Sequence, residues 1–319
     1  MTLLLVAYLA TLALHAGFVA YVVGGTAYAL VQAVRRADDP LAAQVRDRLP
    51  FMLGCGITAG VAPLLFLQLL YQRRFYTANL LMGPRWMAVI PALIVGFYGL
   101  YLAKQTARPR WRTAALAVGV ACFAFVAYAW SEQHELMQAD AAWQQMYAAG
   151  QRVFVSSDVP LRFALFAGAM ATLFAAVAAR STPLRRRLAV IALGGRALSI
   201  AAAVALVAGG SVSIAVRTVW SHVLLVAVVA DVAGWLAVVR RPDGYGLELA
   251  TAGGVLALAA AVIVRELPRI DSIEPEGPLS SGAGGGVLFV VAAVLGIAAI
   301  AWIVRTVRGA APASDGDAH

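Results

Sequence analysis

The sequence predicts an all-α, polytopic integral membrane protein with nine transmembrane helices, its N-terminus outside and its C-terminus cytoplasmic. Three observations predict this fold. Of 319 residues, 62% are hydrophobic and only 13% charged, against roughly 25% charged in an ordinary soluble domain. The apolar residues fall in blocks near the ~20 needed to cross the hydrocarbon core as a helix. Basic residues then alternate in abundance from one interblock segment to the next.

The nine blocks cover 3–32, 50–71, 86–103, 113–130, 160–179, 188–210, 219–239, 247–264 and 285–304. Each must be a helix, because lipid offers no partner to free backbone groups. The first block is too long for a signal-peptide core and has no basic leader, so it is expected to be retained. Counting Lys and Arg at successive ends gives sixteen on one side and eight on the other. The richer side holds Arg35, Arg36, Lys104, Arg108, Arg185–Arg187, Arg240 and Arg241, among others, and the positive-inside rule places it in the cytoplasm.

The resulting organisation is a transmembrane domain over 1–305, with an outer amphipathic loop at 131–159 within it. A disordered cytoplasmic tail follows over 306–319, where GAAPASDGDAH lacks apolar residues to bury. In the outer loop, Leu136, Trp143, Met146 and Tyr147 recur at helical spacing and predict a short helix on the outer surface. The segment RELPRIDSIEPEGPLSSGAGG after the eighth span is expected to be irregular, being rich in Pro, Gly and Ser. The net charge of +9 reflects this topology, so no nucleic-acid partner is expected and the bilayer is. Cys55 and Cys122 lie in apolar blocks and read as small core residues. No P-loop, nucleophile elbow, HExxH or CxxCH occurs, so no catalytic residue and no metal site is assigned. Abundant Ala and Arg with almost no Lys suggests a GC-rich bacterial source and hence a bacterial inner membrane.

Ionisable groups inside spans are costly and are functional candidates by default. Here they are His15, Arg196, His222 and Asp231. Depth follows from the arginines at the cytoplasmic ends at 1.5 Å per residue. His15, twenty residues from Arg35, His222, eighteen before Arg240, and Gln68, twenty beyond Arg48, are each expected ~27–30 Å from that face. Two imidazoles at one level on different helices suit axial ligation of a b-type haem or hydrogen bonds to a quinone head group. The alternative is interfacial histidines bound to water or backbone. Arg196 and Asp231, each nine residues from a flanking arginine, share a level ~14 Å deep and suit an intramembrane charge pair. His134 and His319 are expected to be solvated.

One further stretch stands out, QRRFYTANLLMGPRW, polar and aromatic between two apolar blocks. Tyr76, Arg85 and Trp86 lie there at expected head-group level, as a docking edge or as an interfacial aromatic belt. Taken with His15, Gly56-Ile-Thr-Ala-Gly60 and Phe66-Leu-Gln68, it resembles subunit I of the cytochrome bd-type quinol oxidases over about the first hundred residues. The family's expected glutamates are missing from the third span, and its fifth-span histidine is missing too, with Met170 in that helix. The segment between spans six and seven is short where that family forms its quinol-binding loop.

The resemblance therefore implies a membrane subunit of an electron-transport complex rather than a stand-alone oxygen-reducing enzyme. It would dock a periplasmic cytochrome c or another respiratory subunit, and hold one b-type haem, a quinone or no cofactor at His15, His222 and Gln68. The competing readings are a permease-like transporter and a non-catalytic membrane scaffold.

Overall fold

In the computed structural model, the residues described are 2–210 and 218–270, with Val291, Val294, Ala298, Trp302 and Arg305. Thr2–Pro275 forms one compact unit; Met1 and Glu276–His319 form a second. In the second unit the five described residues are helical. Most of the ninth expected span, 285–304, and the expected tail, 306–319, lie outside the described residues. No strand occurs among the described residues.

Eight helical spans of the first unit are long and apolar enough to cross a membrane, consistent with a polytopic membrane protein in contact with lipid. They are built from α1 (Thr2–Val34), α2 (Pro40–Leu70), α4 (Pro84–Met87) running into α5 (Val89–Gln105), α6 (Pro109–Leu136), α8 (Asp158–Ala178), α9 (Arg185–Ala208), α10 (Val219–Arg240) and α11 (Gly246–Ile270). Two short helices, α3 (Gln72–Met82) and α7 (Asp140–Ala148), lie between spans. Short connections fold neighbours into antiparallel pairs, α1 with α2, α5 with α6, α8 with α9 and α10 with α11. α1 also packs on α6 and α8 and touches α11, which joins the pairs.

Small residues set the closeness of these pairs, as expected where lipid supplies no hydrophobic drive between helices. A Cβ on Gly253 would lie 2.5 Å from the Asp231 backbone nitrogen, and one on Gly195 would lie 2.6 Å from the Gly168 carbonyl. Hydroxyls then bond across the α8–α9 seam: Thr172 Oγ1 donates to the Ala192 carbonyl at 3.0 Å, and Ser199 Oγ to the Leu165 carbonyl at 3.0 Å.

Three segments differ from expectation. QRRFYTANLLM is not a bare bridge but α3, which ends at Gly83 (φ +54°), where Pro84 begins the next span. The left-handed backbone there suits glycine, and the proline fixes the first turn that follows. The segment 131–159 is divided: α6 continues through Leu136, and only Asp140–Ala148 forms a separate short helix. α11 likewise runs through Pro268 to Ile270 instead of stopping near 264. α6 and α11 outlast their apolar blocks because Glu132 and Glu266 are buried against arginines, described next.

Candidate functional site

Helix ends with opposite character bound the first unit. The arginine-rich end, at 35–39, 105–108, 180–184 and 240–245, holds one buried knot. Asp39 caps α2: its Oδ1 accepts the Ala42 N–H at 3.0 Å, while Oδ2 accepts the Tyr28 hydroxyl at 2.8 Å and Arg187 Nη1 at 2.7 Å. Partial burial pushes this carboxyl up, but the hydrogen bonds from Tyr28 and Ala42 and the Arg187 charge outweigh it and hold the pKa below the usual carboxylate value.

At the other, acidic end, five arginines meet carboxylates. Arg85 Nη1 donates to Glu132 Oε1 at 2.5 Å, and the Phe154 N–H donates to the same oxygen at 2.8 Å. Arg74 pairs with Asp140, and Arg162 with Glu135. Arg269 donates to both Glu266 oxygens at 3.3 and 3.4 Å, and Arg265 lies 3.8 Å from the same carboxylate. Tyr8 of α1 lies beside Glu266, and the Arg269 guanidinium lies 5.8 Å over the ring of fully buried Tyr71. Burial first, then the Glu266 charge, raises the Tyr71 phenol well above its ordinary pKa.

His134 belongs to this cluster and is not solvated as expected. It is 2% exposed, and both ring nitrogens are buried without a hydrogen-bond partner among the described residues. The sequence gives little warning, because SEQHEL reads as a loop once the apolar block ends. The available signal was the helical spacing of Trp130, Gln133 and His134 with the preceding span, which continues α6 by two more turns.

Between these ends lies a cavity of about 1690 Å³, larger than the ~300–1,000 Å³ of most small-molecule sites. Its wall is mainly aliphatic, with Gly56, Gly60, Val61 and Leu64 of α2 facing Leu165 and Ala169 of α8 and Ala257 and Ala261 of α11. His15, Gln68, His134, Arg162, Arg196, His222 and Arg265 also line it. The structure therefore brings His15, His222 and Gln68 onto one cavity. No group of three or more His, Cys, Asp or Glu that could hold a metal ion occurs among the described residues.

The levels of these groups follow from helix contacts. Gly253 backs onto Asp231, and Gly234 onto Ala250, which sets His222 opposite about Val262 of the antiparallel α11. Tyr8 lies beside Glu266, which sets His15, seven residues deeper on α1, opposite about Ala259. The two imidazoles thus lie within about one helical turn, ~5 Å, of a common level. Gln68 does not share it. His15 contacts α2 at Gly56 and Gly60, and Gln68 lies ~12–18 Å nearer the acidic end. The difference arises because α2 starts at Pro40, so Arg48 lies eight residues inside that helix and does not mark its end.

Each imidazole is anchored by a backbone carbonyl. His15 Nδ1 bonds the Gly56 carbonyl at 2.9 Å, and His222 Nδ1 bonds the Thr218 carbonyl at 2.9 Å. Neither Nε2 has a hydrogen bond among the described residues. Deeper, Arg196 Nε donates to Asp231 Oδ2 at 2.7 Å, and Trp235 Nε1 donates to Oδ1 at 3.0 Å. Arg196 is 7% exposed and Asp231 fully buried, so the carboxylate is satisfied on both oxygens.

Of the expected docking residues, Tyr76 is 47% exposed. Arg85 is engaged by Glu132, and Trp86 stacks edge-on against Trp130 at 4.9 Å and Phe75 at 5.9 Å. Arg85 and Trp86 therefore tie α4 to α6 and α3, and only Tyr76 presents a free edge.

Fold and site together define a helical chain of multi-pass type with a polar-capped apolar cavity. Comparison with protein-family models and with curated proteins finds no match to either.

Proposed function

We propose that the chain is a membrane subunit of an electron-transport complex, related to the bd-oxidase core, that holds one b-type haem between His15 and His222 near the outer face. The observation that carries this reading is the shared anchoring of the two rings that line one cavity. Each has its Nδ1 on a backbone carbonyl, the arrangement that fixes a ligating histidine and leaves Nε2 for a metal. Both rings line one largely apolar cavity at one level, which suits a flat hydrophobic group. When bound, the haem would supply one-electron transfer. The chain's own residues would orient the ligands, exclude water through the aliphatic wall, and neutralise the acidic end through its ion pairs. Gln68, nearer the surface, would face a quinone head group or the edge of the cofactor. Tyr76 would mark the side on which a periplasmic cytochrome c or another respiratory subunit docks. In this reading the arginine-rich end is cytoplasmic and the membrane is a bacterial inner membrane.

The test is a reduced-minus-oxidised visible spectrum of protein purified from haem-replete cells. A b-type α-band is expected, lost in both His15→Ala and His222→Ala and retained in Gln68→Leu. A colourless wild-type preparation, or a band surviving both histidine substitutions, overturns the proposal and leaves a scaffold or permease.

A further inference from the structure

The cavity has a second polar feature that axial ligation does not use. At the acidic end, His134 and Arg265 face it with unmet hydrogen-bonding capacity. His134 is 2% exposed, and neither ring nitrogen has a hydrogen-bond partner among the described residues. A buried imidazole with two orphaned nitrogens is costly unless something occupies the space beside it. Arg265 makes no hydrogen bond among the described residues, and its nearest carboxylate, Glu266, is 3.8 Å away. That carboxylate already accepts from Arg269. Arg162, the other guanidinium on this part of the wall, is matched by Glu135. Among the described residues the Arg265 guanidinium and the His134 imidazole are thus both without a hydrogen bond.

Below them the wall is aliphatic down to Arg196. Arg196 pairs with Asp231, which lies beside Gly253 of α11. From Arg265 to Gly253 is twelve residues of helix, ~18 Å. That depth is close to half the ~30 Å hydrocarbon core, the extent of the acyl chains of one leaflet. Trp86 and Trp130 line the cavity and lie edge to face 4.9 Å apart, aromatic residues of the kind enriched at head-group level.

We infer that the cavity binds one anionic lipid from the leaflet at the acidic end. Its phosphate is held by Arg265 and by an N–H of His134, and an acyl chain lies along the aliphatic wall towards Arg196. The phosphate gives the guanidinium a charge-assisted partner and the imidazole an acceptor. The chain fills space that would otherwise be an unoccupied apolar void. The inference does not depend on the haem.

Native mass spectrometry of the full-length protein tests it, with phosphatidylglycerol and phosphatidylcholine of identical acyl chains offered after delipidation. Wild type is expected to retain one phosphatidylglycerol with about tenfold preference, the order of one charge-assisted contact. Arg265→Gln should abolish the preference, Arg265→Lys should keep most of it, and His134→Phe should reduce it. Arg110→Gln, at the opposite end, should leave it unchanged, as should His15→Ala, whose loss of the haem band is read separately. Equal retention of the two lipids by wild type overturns the inference without recourse to any variant. So does a preference that survives Arg265→Gln, or one that inorganic phosphate alone removes, which would mark a site for free anions.

Discussion

The two ends of the spans treat the same residue type in opposite ways. At the arginine-rich end, Arg187 and Arg185 alone among the described residues lie in ion pairs, with Asp39 and with exposed Asp243. At the acidic end Arg74, Arg85, Arg162, Arg265 and Arg269 all face carboxylates. Two of those carboxylates, Glu132 and Glu266, are fully buried. A count of sixteen basic residues against eight therefore understates the contrast. One end presents uncompensated positive charge to its surroundings; the other uses arginine as internal structure and keeps little in excess. Topology and tertiary structure draw on the same side chain for different physical reasons, long-range potential in one case and local pairing in the other.

The contrast can be broken most forcefully at Glu132. It is fully buried and accepts both Arg85 and the Phe154 N–H. Removing it leaves Arg85 without its counter-charge and an amide without an acceptor, so Glu132→Ala is expected to destabilise by about 3–5 kcal/mol. Loss of most folded protein in detergent thermal unfolding would be the readout. Arg110→Gln, exposed and unpaired at the other end, should move stability by less than about 0.5 kcal/mol. A comparable loss in both variants would erase the distinction between the ends.

A smaller effect sharpens the comparison at Asp39, the one knot of the arginine-rich end. Losing its capping oxygens in Asp39→Ala should cost about 0.5–2 kcal/mol. The dependence on pH has a definite sign. The folded carboxyl titrates below its unfolded value, so its contribution is complete above the unfolded pKa of ~3.9. It disappears as pH falls through the depressed folded value. Acid unfolding of the wild type should therefore show a slope in that window that Asp39→Ala lacks; identical acid limbs would contradict the assignment.

The spans were legible in the sequence because hydropathy and length are properties of contiguous residues. Depth was legible too where an arginine marks a helix end: that ruler gives Arg196 and Asp231 a common level, and they are 2.7 Å apart. It misjudged Gln68, because Arg48, taken as a helix end, lies eight residues inside α2, which starts at Pro40. His134, Glu132 and Glu266 were invisible for another reason. Their burial depends on arginines and tyrosines from distant spans, which make a polar helix end tolerable away from water. The same blindness applies to α3, whose helix is polar on average and is held by buried Phe75, Ala78, Leu81 and Met82.

Electron paramagnetic resonance of the oxidised protein tests the histidine pair most directly, because the signal depends on both axial ligands at once. A haem held by both imidazoles, as proposed, predicts a low-spin ferric signal in the wild type, converted to high spin or lost in each of His15→Ala and His222→Ala. A low-spin signal that persists in either variant, or a wild type that shows no haem signal after reconstitution with haem, would contradict the account.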